Sequence, residues 1–206
     1  DYVHDDNFTL LGYCDFNFAN NKFVAKKEAG LGLFSKERSS DFLNAIDKEQ
    51  LFNPSILNKL GGVIVTKLTK VSSVHRRVPL DAILVKKTNA AGKMTGMTII
   101  LGLFTSVTYS RGLNTVPYLR FKAEAVMSKA GFEGMEHRGR ALRHILEKFP
   151  RDELFHMEQD ALYDTCMSIM RLQEQPRIAL YFSPDVFDRM MVAVAYIPRD
   201  LYDTRL

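Results

Sequence analysis

The sequence predicts an α+β fold in which strands and helices are segregated along the chain. Three observations carry the prediction. Residues 8–109 alternate apolar or β-branched runs with turn signals, residues 117–172 show the apolar spacing of amphipathic helices, and two strand-like runs return between 178 and 197. A doubly wound sheet would instead interleave its strands and helices. A chain of 206 residues allows one large or two small domains. At this length about 70% of the unfolded surface becomes buried, so a core needs no metal or disulfide staple.

Residues 8–18 and 22–27 read as a hairpin about the Asn20-Asn21 turn signal. Residues 29–34 carry Gly30 and Gly32 at alternate positions, consistent with a closely approached edge or bend. Ser40 or Asp41 caps a short predicted helix with Phe42, Leu43, Ile46 and Leu51 on one face. Pro54 opens a further helical turn with Ile56, Leu57 and Leu60, and Gly61-Gly62 ends it. Strands follow at 63–68, 80–87 and 97–109, the last two forming a hairpin about the turn cluster 89–92. The run 99–103 is almost continuously apolar, so both faces of that strand should be covered.

Pro117 suits the first position of a helix that carries Leu119, Ala123, Val126, Met127 and Ala130 and stops at Gly131. A second helix presents Ala141, Leu142, Ile145, Leu146 and Phe149, and Pro150 breaks it. A third runs from 158 to 172 with Leu162, Cys166, Ile169 and Met170 apolar. The terminal strands 178–182 and 190–197 flank the turn signal Pro184-Asp185.

Apolar residues make up 46% and charged residues 25%, which is ordinary for a soluble globular domain. No apolar run approaches the roughly 18 residues of a membrane span, and membrane association is not expected. The net charge of +4 is dispersed. The densest basic stretch is Lys67, Lys70, His75, Arg76, Arg77, Lys86 and Lys87, with Asp81 inside it. It reads as a solvated loop between strands rather than a phosphate-binding patch, so no nucleic-acid partner is expected. Two distant cysteines, Cys14 and Cys166, with nine methionines suit a reducing, cytoplasmic compartment, with a single disulfide left open. The start at Asp1 and the stop at Leu206 suggest a piece of a longer protein.

The search for chemistry is mostly negative. No G-x-G-x-x-G, G-x-x-x-x-G-K-[ST] or G-x-S-x-G occurs. Glu153 and His156 have helical i, i+3 spacing, but carboxylate-bridged metal sites need a second such pair. His137 and His144 read as surface histidines, and Asp5-Asp6 as a polar terminus. Arg138, Arg140 and Arg143 could meet an anion or form a charged helix face with Glu136 and Glu147. Ser72, Ser73, His75 and Asp81 are neighbours that nothing arranges as a triad.

Four ordered stretches carry a family resemblance. They are residues 7–13 (NFTLLGY) with Gly30-Leu31-Gly32-Leu33; 74–81 (VHRRVPLD) with 101–106 (LGLFTS); Ala130-Gly131-Phe132 with 141–147 (ALRHILE) and 149–155 (FPRDELF); and 172–177 (LQEQPR) with 196–206 (YIPRDLYDTRL). On these the chain resembles the regulatory part of the large bacterial NAD-dependent glutamate dehydrogenases. Divergence is greatest over 15–58.

The resemblance implies a PAS-like sensory module over 1–112, an antiparallel sheet flanked by helices. It implies a helical connector over 113–175 and, over 176–206, a β-hairpin that begins an ACT-like module. It implies a non-catalytic role, with no catalytic, cofactor-binding or metal residue in this segment and NAD used elsewhere in the parent enzyme. The implied partners are other modules and subunits of that enzyme, together with a small amino-acid effector. The weak candidate site for it is the turn at Pro198, where Arg199 would meet a carboxylate and Asp200 an amine; alternatively Arg199 is solvated and Asp200 only a helix cap. The competing reading is a purely structural contact domain, in which Phe8, Tyr13, Phe104 and Tyr109 are core.

Overall fold

Strand β1 (Phe8–Ala19) alternates buried and solvated positions, as a strand with one core face must. It turns through Asn20 and Asn21, both at positive φ (51° and 61°), into β2 (Lys22–Ala25). Asparagine tolerates that left-handed conformation, which is why the Asn-Asn pair reads correctly as a hairpin turn. The computed structural model describes residues 6–26, 30–35, 43–44, 50–74, 76–132, 136–174 and 177–202. The chain divides into two units, Asp1–Ser110 and Arg111–Leu206.

The first unit holds β3 (Leu31–Gly32), helix α1 (Pro54–Leu57), β4 (Val63–Val71), β5 (Pro79–Thr88), β6 (Met94–Phe104) and α2 (Ser106–Ser110). The sheet is antiparallel in the order β2-β1-β6-β5-β4, with β3 also paired to β1. A bulge between Leu10 and Gly12 shifts the β1–β6 register, and Leu33 N–H bonds the Leu11 carbonyl there at 2.9 Å. Gly32 sits at φ +60°, and a Cβ on it would strike the Leu11 carbonyl oxygen, so this bend requires glycine.

Pairing register places Cys14, Phe16, Met97, Ile99, Leu101, Leu84, Ala82, Ile64 and Leu68 on one sheet face, and all are buried. Helix α1 lies over that face. Asn53 caps it through Oδ1 to Ser55 N–H at 3.0 Å, and Pro54 takes the first helical position. Lys86, on the same face as Met97, donates Nζ to the carbonyls of Leu57 (2.7 Å) and Leu60 (2.5 Å) at the end of α1. Burial lowers the pKa of that ammonium. The helix predicted from Ser40 or Asp41 falls mostly outside the described residues, of which Leu43 and Asn44 are helical.

The long strand predicted over 97–109 ends at Phe104 instead, and Ser106–Ser110 is helical. Phe104, opposite Phe8, is the last registered pair. Beyond it Thr105 hydroxyl donates to Asp6 carbonyl (2.6 Å) and Thr108 hydroxyl to Asn7 carbonyl (2.7 Å). These threonine bonds turn the chain, overriding the β preference of Val107 and Tyr109. Phe8 and Phe104 are core as expected, whereas Tyr13 and Tyr109 are only half-buried.

The second unit begins with a 3-10 turn (Leu113–Thr115) and contains α3 (Pro117–Ala130), α4 (Glu136–Lys148), α5 (Arg151–His156) and α6 (Gln159–Glu174). Gly131 ends α3 in the left-handed conformation. Leu119, Val126, Leu142, Ile145, Leu146, Leu162, Cys166 and Ile169 form the core, as their spacing predicts. Pro150 does more than break α4: it caps the short helix α5, with Leu154 N–H bonding its carbonyl at 3.0 Å.

Strands β7 (Ala179–Pro184) and β8 (Met191–Tyr196) form an antiparallel hairpin. Its loop is held by Asp185, whose Oδ2 accepts from Arg189 Nε (2.7 Å) and Phe187 N–H (3.2 Å), with Phe187 fully buried. Tyr181 hydroxyl bonds Ser168 Oγ on α6 at 3.2 Å, which fixes the inner face. Among the described residues no helix is long and apolar enough to cross a membrane.

Candidate functional site

Among the described residues, a ligand-sized feature lies on the core face of the first unit, beside β1, β2 and the residues that precede α1. Phe18 and Phe23 are cross-strand partners, and Phe16 stands opposite Ala25. Antiparallel partners share a face, so these three rings point to the same side. Phe52, just before α1, joins them: its centroid is 4.9 Å from Phe16 and 5.5 Å from Phe23, and Phe18 to Phe23 is 4.7 Å. Phe34 meets Phe16 edge-on at 6.2 Å.

Beside this ring chain opens a cleft of about 480 Å³, lined by Phe16, Asn21, Lys22, Phe23, Ala25, Leu43, Asn44 and Phe52. That volume falls within the range of small-molecule sites. Phe16 is almost wholly buried, whereas Phe23 and Phe52 are half-buried. The sequence marked residues 8–27 only as a hairpin. Its signal for the cleft was the phenylalanine set 16, 18, 23 and 34, which spacing alone cannot separate from ordinary core.

The residues singled out for chemistry have other employment. In the basic stretch Lys67 pairs with buried Asp81 at 2.8 Å, Arg76 donates to the Phe104 carbonyl at 2.6 Å, and Lys87 pairs with Asp15 at 2.6 Å. With Lys86 bound to α1, these cations serve the sheet rather than form a shared anion site. Asp81 also accepts the Phe104 N–H at 2.9 Å, while Ser72 hydroxyl bonds the Val74 backbone. His75 and Asp5 lie outside the described residues.

Glu153 and His156 share α5, with Glu153 buried. Next to them Lys122 donates Nζ to the carbonyls of Leu154 (2.8 Å) and Phe155 (3.2 Å). Burial pulls Lys122 down to about 8, opposed by the carboxylates of Glu158 and Glu153. On α4, Arg140 pairs with Glu136 at 3.5 Å, Arg138 covers the Phe132 ring at 4.7 Å, and Arg143, His137 and His144 are exposed. Arg199 and Asp200 stand together on a 3-10 turn (Arg199–Leu201) just after β8, and Asp200 is exposed.

Comparison with known proteins covers both units. Residues 116–175, the span of α3 to α6, match the family model described as glutamate dehydrogenase, helical motif 1. Over 99% of its length the chain is 32% identical to the NAD-specific glutamate dehydrogenase of Pseudomonas aeruginosa, of which it covers 13%. It is 29% identical to the enzyme of that name from Halomonas elongata, across 100% of this chain and 13% of the relative. For the Mycobacterium tuberculosis protein of that name the identity is 21%, across 98% of this chain and 12% of the relative. These matches bear out the resemblance to the large NAD-specific glutamate dehydrogenases, and the chain spans 13% of the length of the Pseudomonas and Halomonas relatives.

Proposed function

We propose that this chain is a non-catalytic regulatory and assembly segment of a large NAD-specific glutamate dehydrogenase. The parent reaction is oxidation of glutamate with NAD and water to 2-oxoglutarate, ammonia and NADH. In this reading residues 1–112 are a PAS-like module, 113–175 a helical connector, and 176–206 the first strands of an ACT-like module. The partners are the other modules and subunits of the same enzyme.

One observation carries the assembly role. In the β7–β8 hairpin Leu180, Phe182 and Met191 share a face, and they are 54%, 63% and 61% exposed. Ile178 and Ile197 extend that apolar surface, while alternate residues such as Tyr181 and Ser183 face inward. Covering this face would contribute on the order of 5 kcal/mol, comparable to the whole stability of a small domain. A surface of this kind belongs against another module. The regulatory role adds an effector, for which the Arg199–Asp200 turn and the phenylalanine cleft are the candidate places. A purely structural segment is the second reading, and the same hairpin face favours it.

The test is the double variant Leu180→Ser/Phe182→Ser. The chain itself should associate with itself or bind a hydrophobic dye, and the variant should do neither while keeping its far-UV circular dichroism. In the parent enzyme the variant should loosen assembly. Unchanged dye binding and unchanged assembly would refute the assembly role. Calorimetric titration with amino acids tests the regulatory part, and no heat with any of them removes the Arg199–Asp200 site.

A further inference from the structure

The outer face of the β7–β8 hairpin carries more order than an apolar patch requires. Its registered outward pairs are Leu180 with Ala195, Phe182 with Ala193 and Pro184 with Met191, and all six residues are exposed. Ile178 and Ile197 continue the face one step beyond the last registered pair, Ala179 with Tyr196. All of these outward positions are apolar, where a sheet face meant for water carries polar residues. Large and small side chains are sorted by strand. Leu180 and Phe182 raise a ridge on β7, and Ala193 and Ala195 leave a trough beside it on β8. Two facing sheets interdigitate when large residues of one meet small residues of the other.

We propose that this face closes on the same face of a second copy of the chain, with the ridge of each copy seated in the trough of the other. The pairing register selects the symmetry. A two-fold axis parallel to the strands, lying between the two sheets, brings β7 of one copy over β8 of the other. Because Phe182 and Ala193 stand at one level of the hairpin, Phe182 then faces Ala193 of the other copy, and Leu180 faces its Ala195. The same axis repeats both contacts in the opposite sense. A two-fold across the strands would instead set ridge against ridge and leave both troughs empty. Contacts related in this way satisfy both copies at once, so the assembly closes at two. The exposed side chains of the face supply roughly 1,000 Å² over both copies, the lower bound for a specific interface. The proposal rests on the assembly reading above and names its partner.

The experiment is sedimentation equilibrium of the 206-residue chain over a range of concentrations, with far-UV circular dichroism as the control for folding. A monomer–dimer equilibrium is expected. Phe182→Ala removes the ridge and Ala193→Phe fills the trough, and each should raise the dimer dissociation constant about tenfold or more. Both positions are exposed, so the fold should survive either change. The double variant Phe182→Ala/Ala193→Phe exchanges ridge and trough and should return the constant to within about threefold of the unaltered chain. A face that is merely sticky would associate more tightly with Ala193→Phe, which adds apolar area, and that outcome overturns the proposal. So does a dimer that neither substitution weakens, or a double variant no better than the single ones. A chain that stays monomeric, yet loses dye binding in Leu180→Ser/Phe182→Ser, overturns the second copy as occupant and leaves the assembly reading standing, with another module on the face. Dye binding unchanged in that variant defeats the assembly reading and the proposal together.

Discussion

Leu142→Ala probes whether the helical unit is held by its interior or by local helix propensity. Leu142 is 0% exposed on α4, which packs against α3 and α6. Alanine is the better helix former by a few tenths of a kcal/mol, so local propensity alone predicts a slight gain. The tertiary terms act oppositely. Removing a fully buried leucine side chain forfeits its transfer free energy and leaves a cavity, together about 3 kcal/mol. For a unit of roughly 100 residues that corresponds to a fall in Tm of roughly 12–20 °C. Urea denaturation followed by far-UV circular dichroism measures it, with an unchanged m-value confirming that only stability has moved. Phe121→Ala on α3 is the control: Phe121 is 63% exposed, and its loss should shift stability by no more than about 0.5 kcal/mol. If Leu142→Ala costs no more than Phe121→Ala, the packing assigned to α4 is wrong.

Three further outcomes follow from the same structure. Lys122 is held at about 8 against an ordinary 10.5, so the unfolded chain binds its proton more tightly and stability should rise between those values, by about 3 kcal/mol in all. Tyr118 and Cys166, both raised mainly by burial, act in the opposite sense; the pH dependence must therefore be read as the difference from Lys122→Met, and a flat difference would refute it. Burial pushes the Cys166 thiol up to about 12, so it should resist a thiol reagent at pH 8 and react only in denaturant, which colour development would record. Gly102→Ala should cost more than about 2 kcal/mol in denaturant titrations, because its Cβ would strike the Thr9 carbonyl oxygen and lie 2.5 Å from Phe8 Cε1. A neutral Gly102→Ala would mean that the Phe8 ring does not lie over that glycine.

Much of the architecture was legible because its signals are local. Pro117 and Gly131 bound α3, Asn20-Asn21 and the 89–92 cluster turn the hairpins, and the apolar spacing around Leu142 and Leu162 marks the faces that become buried. The 97–109 strand was misread where side chains reach across the chain. Thr105 and Thr108 bond Asp6 and Asn7, about 100 residues earlier, and no window of sequence contains both partners. The basic stretch was rightly read as no anion site, but the partners of Lys86 and Lys87, the Leu57 carbonyl and Asp15, lie too far along the chain to be read from sequence.

By itself the sequence determined the α+β class, the order of strands and helices, and a family resemblance that the comparisons bear out. Those rest on short-range periodicity, on turn residues and on motifs read along the chain. Only the tertiary structure brought Phe52 against Phe16 and Phe23 to make a cleft, and only it turned Leu180, Phe182 and Met191 outward on one face of a hairpin. A phenylalanine in core and a phenylalanine beside a cavity look the same in sequence. What separates them is which distant side chains close the space around the ring, and that is decided when the sheet register and the helix over it are set together.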